Sequence, residues 1–397
     1  MRRRRARLAV ASVITTVGML GALAGPAGAA GAATAPTGAP IAVQFVNLDT
    51  TSSTTSARQG ANAAVRYLNQ TGGIGGRPVQ LTECLTDQTP EKGKACIDKA
   101  VAAKPAAVLA VQPGTAADNL GALTAAGIPY VGQTCNTNTT LTGQFTSFCF
   151  GSDFVGLYAS AAGYLKGLGT VKKAALPYVN VPAAATGVKA YATPILLRAG
   201  IAPVEVPIPE GTADVTATIT PAIQANPDAV IGLLTGPGCI NTIKLKTSLN
   251  SAKPFVFPAM CTNANVLSDA GPGAKGTLYV RQTITIDKKN ADVKTYTKAM
   301  AKYARGANAD DVYSQAGFAG VMNLAAAMKL VPAGTAVDAT STTAALRAAK
   351  AVPMFLSSGA TYTCDGSAYA GLKALCSIQA HVIEYQGKST WTDKGLF

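Results

Sequence analysis

Histidine is almost missing from the 397 residues: His381 is the only one. Any mechanism that needs two imidazoles is excluded with it, HExxH zinc hydrolysis included. A serine nucleophile would need a base beside it, yet GxSxG is absent and His381 sits in the alternating run 377–385, which reads as an ordinary strand. No P-loop or GxGxxG occurs; GGIGG at 72–76 follows a helical pattern, where it serves as a helix stop and turn. No cysteine couple has CxxC spacing, which speaks against a metal site. Aromatic residues make up only 6%, and the 34 lysines and arginines are scattered, so the net charge of +14 does not describe a nucleic-acid groove. An anionic cell wall or membrane surface fits that sign better.

Long apolar runs are missing too, apart from one near the start. Arg2, Arg3, Arg4, Arg5 and Arg7 precede the apolar run 8–23 and the small residues 25–35, the pattern of a cleaved signal peptide over 1–35. The expected protein is therefore exported. Its eight cysteines then read as disulfides, and short loops favour the nearest-neighbour pairs Cys84 with Cys96, Cys135 with Cys149, Cys239 with Cys261, and Cys364 with Cys376. Sequence alone leaves other connectivities open.

The remaining chain is long enough for two lobes of ordinary domain size. Apolar β-branched runs at 41–47, 79–84, 106–111 and 128–131 alternate with helical periodicity at 56–69, 90–103 and 115–126. A second set follows: a helix at 154–168, then strands at 174–178, 204–208, 229–234 and 255–258 separated by helices at 187–199, 214–225 and 239–249. Helices at 291–304, 312–329 and 342–348 and a hairpin region at 360–385 complete the chain. Alternation of this kind predicts an α/β protein with parallel sheets.

In such sheets ligands bind beyond the carboxyl ends of the strands. The loops there are rich in hydroxyls and amides: residues 49–55 (DTTSSTT), 112–115 (QPGT) and 133–138 (QTCNTN). Groups of this type hydrogen-bond a small polar ligand without reacting with it. The expected ligand contacts are Ser53, Gln112, Thr115, Thr134 and Asn136, with Tyr178, Thr235 and Thr262 at or just after strands of the second set. Single Ser, Thr and Asn residues also serve as turn and cap residues.

NQTGGIGGRPV at 69–79, AGIPYV at 126–131, GSD at 151–153, ANPDAV at 225–230 and GAKGT at 273–277 together resemble the leucine/isoleucine/valine-binding protein family of ABC importers over about 41–350. The resemblance implies a type I periplasmic binding fold, two Rossmann-like lobes joined by three crossovers near Asp153, Arg281 and Phe355. Lobe one would be 41–153 with 283–355, and lobe two 154–282 with 356–397. It further implies no catalysis, no cofactor, a small-molecule ligand and an importer permease as partner; a sensor reporting to a signalling partner is the alternative. The family's carboxylate-holding loops correspond to 113–115 and 134–136. Its two ligand-facing aromatics fall near Ser53 and Ala183, and its acid opposite the ligand amine falls at 259–263, inside a stretch, 239–268, without Asp or Glu. A neutral or anionic ligand is therefore expected over an amino acid. The first cysteine is Cys84, so no lipobox is present and a periplasmic or extracellular location is expected.

Overall fold

The computed structural model describes residues 35–397; the expected signal peptide up to residue 34 lies outside the described residues. Among the described residues no helix is long and apolar enough to cross a membrane. Strand β1 (Ile41–Leu48) is buried at all but one position, as a strand covered by helices on both faces must be. It leads into the helix Ser52–Gln70, opened by a capping box in which Thr51 and Thr54 each bond the other's backbone amide. Gly72 and Gly73, at φ 99° and 67°, stop that helix. β2 (Val79–Thr86), β3 (Ala107–Ala110), β4 (Tyr130–Gly132) and β5 (Ser147–Cys149) complete a parallel sheet of order β2-β1-β3-β4-β5.

The chain then crosses to β6 (Lys173–Val179), β7 (Ala202–Ile208), β8 (Ala229–Ile231), β9 (Phe255–Pro258) and β10 (Leu278–Arg281). It returns through the helices Ala291–Tyr303, Val312–Met328 and Ala339–Ala348 and the short pair β11 (Val352–Pro353) and β12 (Thr361–Tyr362). A third crossing adds β13 (His381–Gly387) and β14 (Thr390–Leu396), antiparallel, beside β10. The second sheet is thus β14-β13-β10-β9-β8-β6-β7, and its parallel part repeats the winding of the first. Two α/β lobes joined by three crossovers are the result.

The helices Ser52–Gln70 and Val312–Met328 lie backbone to backbone at two glycines. A Cβ on Gly60 would sit 2.0 Å from Ser314 O, and one on Gly317 would sit 1.9 Å from Ala57 O, so no side chain fits at either point. Phe318, fully buried, holds the same helix against Tyr67, Tyr296 and Phe355. Truncating it to alanine would cost about 3–5 kcal/mol.

All four nearest-neighbour disulfides are formed. Several elements differ from expectation. The helix expected at 187–199 starts at Pro182, a favoured first-turn residue, and runs through a wider π-type segment, Gly187–Ala192, ahead of Pro194, which has no amide to donate. The helix expected at 115–126 is a 3-10 turn, Gly114–Asn119, followed by Leu120–Ala125. β5 has three residues, too few for a periodic signal. The main hairpin is 381–396 rather than 360–385. Residues 361–376, expected with the second lobe, hydrogen-bond to the first: Cys149 N donates to Ala374 O and Cys376 N to Cys149 O, both at 2.8 Å.

Candidate ligand-binding cleft

A pocket lies where the two sheets and two crossovers meet. The first sheet's edge supplies Val111, Gln133 and Thr134, the first crossover Asp153, the turn after β9 Ala259 and Met260, the second crossover Gln282 and Thr283, and the helix Val312–Met328 supplies Val312, Tyr313 and Ala316. Its empty volume, counting space open to solvent, is about 480 Å³. A wider cavity of about 1240 Å³ adjoins the same turn and crossover, lined among others by Thr262, Arg281, Ile284, Asn308 and Trp391.

Asp153 is the first residue of the helix Asp153–Gly167, where the free amides favour a carboxylate. Asn136 clamps it: Nδ2 donates to Asp153 Oδ2 at 3.1 Å, and Oδ1 accepts from Asp153 N at 3.0 Å. Burial raises the Asp153 carboxyl above the usual range, opposed by the Asn136 bond. Burial and the Asp153 charge push the Tyr313 phenol up to about 12, so it is a neutral hydroxyl. Gln282 is 9% exposed, and neither its amide nitrogen nor its amide oxygen has a partner. A Cβ on Gly151 would lie 2.1 Å from Gln282 Nε2, so glycine there makes room for the amide. Gln133 is already engaged, its Oε1 accepting from Asn323 Nδ2 at 3.1 Å.

Of the residues expected to touch ligand, Thr134 lines the narrow pocket and Thr262 the wider cavity. The Thr134 hydroxyl donates weakly to Val111 O, at 3.4 Å, and Thr262 donates to Ala259 O at 2.6 Å. Asn136 acts through Asp153. Thr115 donates to Thr89 O at 2.7 Å, beside the helix Pro90–Ala103, and Gln112 joins β1 by accepting from Leu48 N and donating its own N–H to Asn47 Oδ1. Tyr178 is buried in the core, its hydroxyl 3.4 Å from Glu205, and Thr235 is exposed at the start of the helix Gly236–Ser248. The Ser53 side chain lies outside the described residues. Sequence reading passed over Gln282, Met260 and Tyr313. Asp153 stands in the GSD motif and at the expected first crossover.

An acid therefore lines the pocket even though 239–268 has none. Two acids of other strand-end loops are engaged elsewhere: Asp49 pairs with Arg58 at 3.2 Å, and Asp214 caps Thr216 N at 2.8 Å. His381, buried in β13, faces Ser358 O at 3.0 Å through Nε2 and Asp393 at 2.9 Å through Nδ1, with no nucleophile between them. The pocket's polar groups are suited to holding a ligand, since amide, hydroxyl and carboxyl converge without a paired nucleophile and base.

Solved structures share this architecture. A substrate-binding protein of an ABC transporter from Sphaerobacter thermophilus matches with a TM-score of 0.74 at 16% identity, covering 90% of this chain and 98% of its own. A solute-binding protein from R. palustris in complex with benzoate gives 0.65 at 18%, covering 90% and 96%. The branched-chain amino acid binding protein LivJ from Streptococcus pneumoniae, in complex with isoleucine, gives 0.66 at 17%, covering 91% and 99%. No curated protein matches the sequence. The family model described as periplasmic binding protein matches residues 49–374, most of the chain and every element that lines the pocket. The chain belongs to the periplasmic binding protein family.

Proposed function

We propose that the protein captures a small organic solute outside the cytoplasm, between its two lobes, and delivers it to an ABC importer. The carrying observation is the pocket at the lobe junction, to which both sheets and two crossovers contribute while Gln282 keeps both amide atoms unpaired. A ligand that satisfies Gln282 from one side and Thr134 and Tyr313 from the other favours the closed arrangement, because it binds that arrangement better than an open one. Lobe one comprises 41–153 with 283–376 and lobe two 154–282 with 377–397, the last boundary following the bonds at Cys149. The preferred solute is neutral or anionic. Within the turn after β9 the side-chain donors and acceptors are Thr262 and Asn263, and the one carboxylate of the narrow pocket is held by Asn136. Neighbours solved with benzoate and isoleucine support a solute of this size.

A thermal-shift screen of small metabolites on the full chain tests this, since a ligand that binds only the folded state raises the melting temperature. The expected hits are neutral or anionic and weaken in Thr134→Ala. A screen in which free amino acids outrank every neutral and anionic compound would overturn the charge preference.

A further inference from the structure

The wider cavity has a feature the narrow pocket lacks. Arg281, the last residue of β10, stands at its back wall with 7% of its surface exposed. Its Nη2 donates to Gln315 Oε1 at 2.6 Å, and its Nε has no partner. No carboxylate lies within ion-pair distance of it among the described residues. Burial pushes the guanidinium down to about 10, opposed by Tyr296, Asp310 and Asp311, so it is still charged at neutral pH. Lys288 and Asp310, of opposite sign, also line this cavity, and both are exposed. A buried guanidinium spending one protein hydrogen bond is poorly compensated, and a planar anion is the partner its fork fits best. Apolar side chains line the same cavity: Ile284, Leu267 and Trp391.

From this geometry we infer that Arg281 is a ligand-binding residue that takes the carboxylate of the solute, whose apolar body lies against Ile284, Leu267 and Trp391. The inference rests on the solute-capture reading and narrows its ligand class to small organic acids. Gln315 is the positioning residue: it accepts from Nη2, and Thr283 also approaches its Oε1, at 3.4 Å, which fixes the guanidinium in place.

The test is a thermal-shift and calorimetric comparison of benzoate and hexanoate with their neutral amides, on the full chain and on its Arg281→Met and Arg281→Lys variants. At least one acid is expected to raise the melting temperature where its amide does not. Its affinity should fall about tenfold or more in Arg281→Met and be partly kept in Arg281→Lys. The acid-against-amide contrast on the unaltered chain needs no variant, so a misfolded Arg281→Met leaves the test intact. Amides binding as well as acids, an acid's gain surviving in Arg281→Met, or no acid binding at all would overturn the assignment. An amide whose binding is lost in Gln282→Met but not in Arg281→Met would overturn it while leaving solute capture standing.

Discussion

The loop after β1 and the segment that ends β10 are both polar, and they differ in how much of their hydrogen bonding is spent. In 49–55, Thr51 and Thr54 cap a helix, Thr55 bonds Asp49, and Asp49 pairs with Arg58. Asn47 behind them donates to Thr54 O at 2.9 Å and accepts from Gln112 N at 3.0 Å, tying that loop to the next. Thr137 and Thr140 repeat the capping box in the third loop. In 281–283, by contrast, Arg281 Nε and both amide atoms of Gln282 are buried without partners. Hydroxyl-rich loops thus build the edge of the sheet, while the crossover holds groups with no partner in the chain. Unspent capacity marks a site better than polar composition does.

The comparison breaks most severely at Asn47. Asn47→Ala strands Gln112 N and takes away the side-chain bond to Thr54 O, and should lower stability by about 1–3 kcal/mol in urea unfolding. A loss below about 0.5 kcal/mol would mean the loops are not held as described. A smaller and opposite effect is expected at Gln282. Gln282→Met removes two unpaired polar atoms at nearly constant volume, so the apo protein should unfold within about 1 kcal/mol of the original, whereas the affinity of a solute held in the narrow pocket should fall by about 1–2 kcal/mol. Equal losses in stability and affinity would make the amide structural.

The smallest effect concerns pH. Because burial raises Asp153, the folded protein keeps its proton to higher pH than the unfolded chain does. Stability linked to this group is therefore complete below the ordinary carboxylate range and is lost as pH rises through the raised value. Asp153→Asn removes that loss, so its melting temperature relative to the unaltered protein should climb as pH rises above the ordinary carboxylate range, about pH 4, and through the raised value. A flat difference would show that the carboxylate is ionised as freely in the cleft as in water.

Much of the fold was legible because burial leaves a local trace. IAVQFVNL is apolar at nearly every position since helices cover both faces of β1, and Gly72 and Gly73 stop a helix whatever surrounds them. The misplaced elements had weaker traces. β5 has only three residues, and the β13–β14 hairpin gains its partner β10 from a segment some hundred residues upstream. The cysteine pairs were legible for a polymer reason, as separations of 12, 14, 22 and 12 residues close with little entropy loss. Thr134 and Thr115 were not distinguishable in the sequence: both are threonines after a strand, and the nearness of Thr89 O engages one while the other lines the pocket.

By itself the sequence determined the alternation of strands and helices, the doubled winding that follows from it, the short disulfides, and the want of a second imidazole. Each depends on residue type and spacing along the chain, which a linear pattern carries. Tertiary structure decided which polar groups remain free. Gln282 and Arg281 are consecutive residues whose side chains line different cavities, one made room for by Gly151 and the other reaching Gln315. Whether a side chain is spent depends on atoms brought beside it from the other lobe, and no local pattern records that.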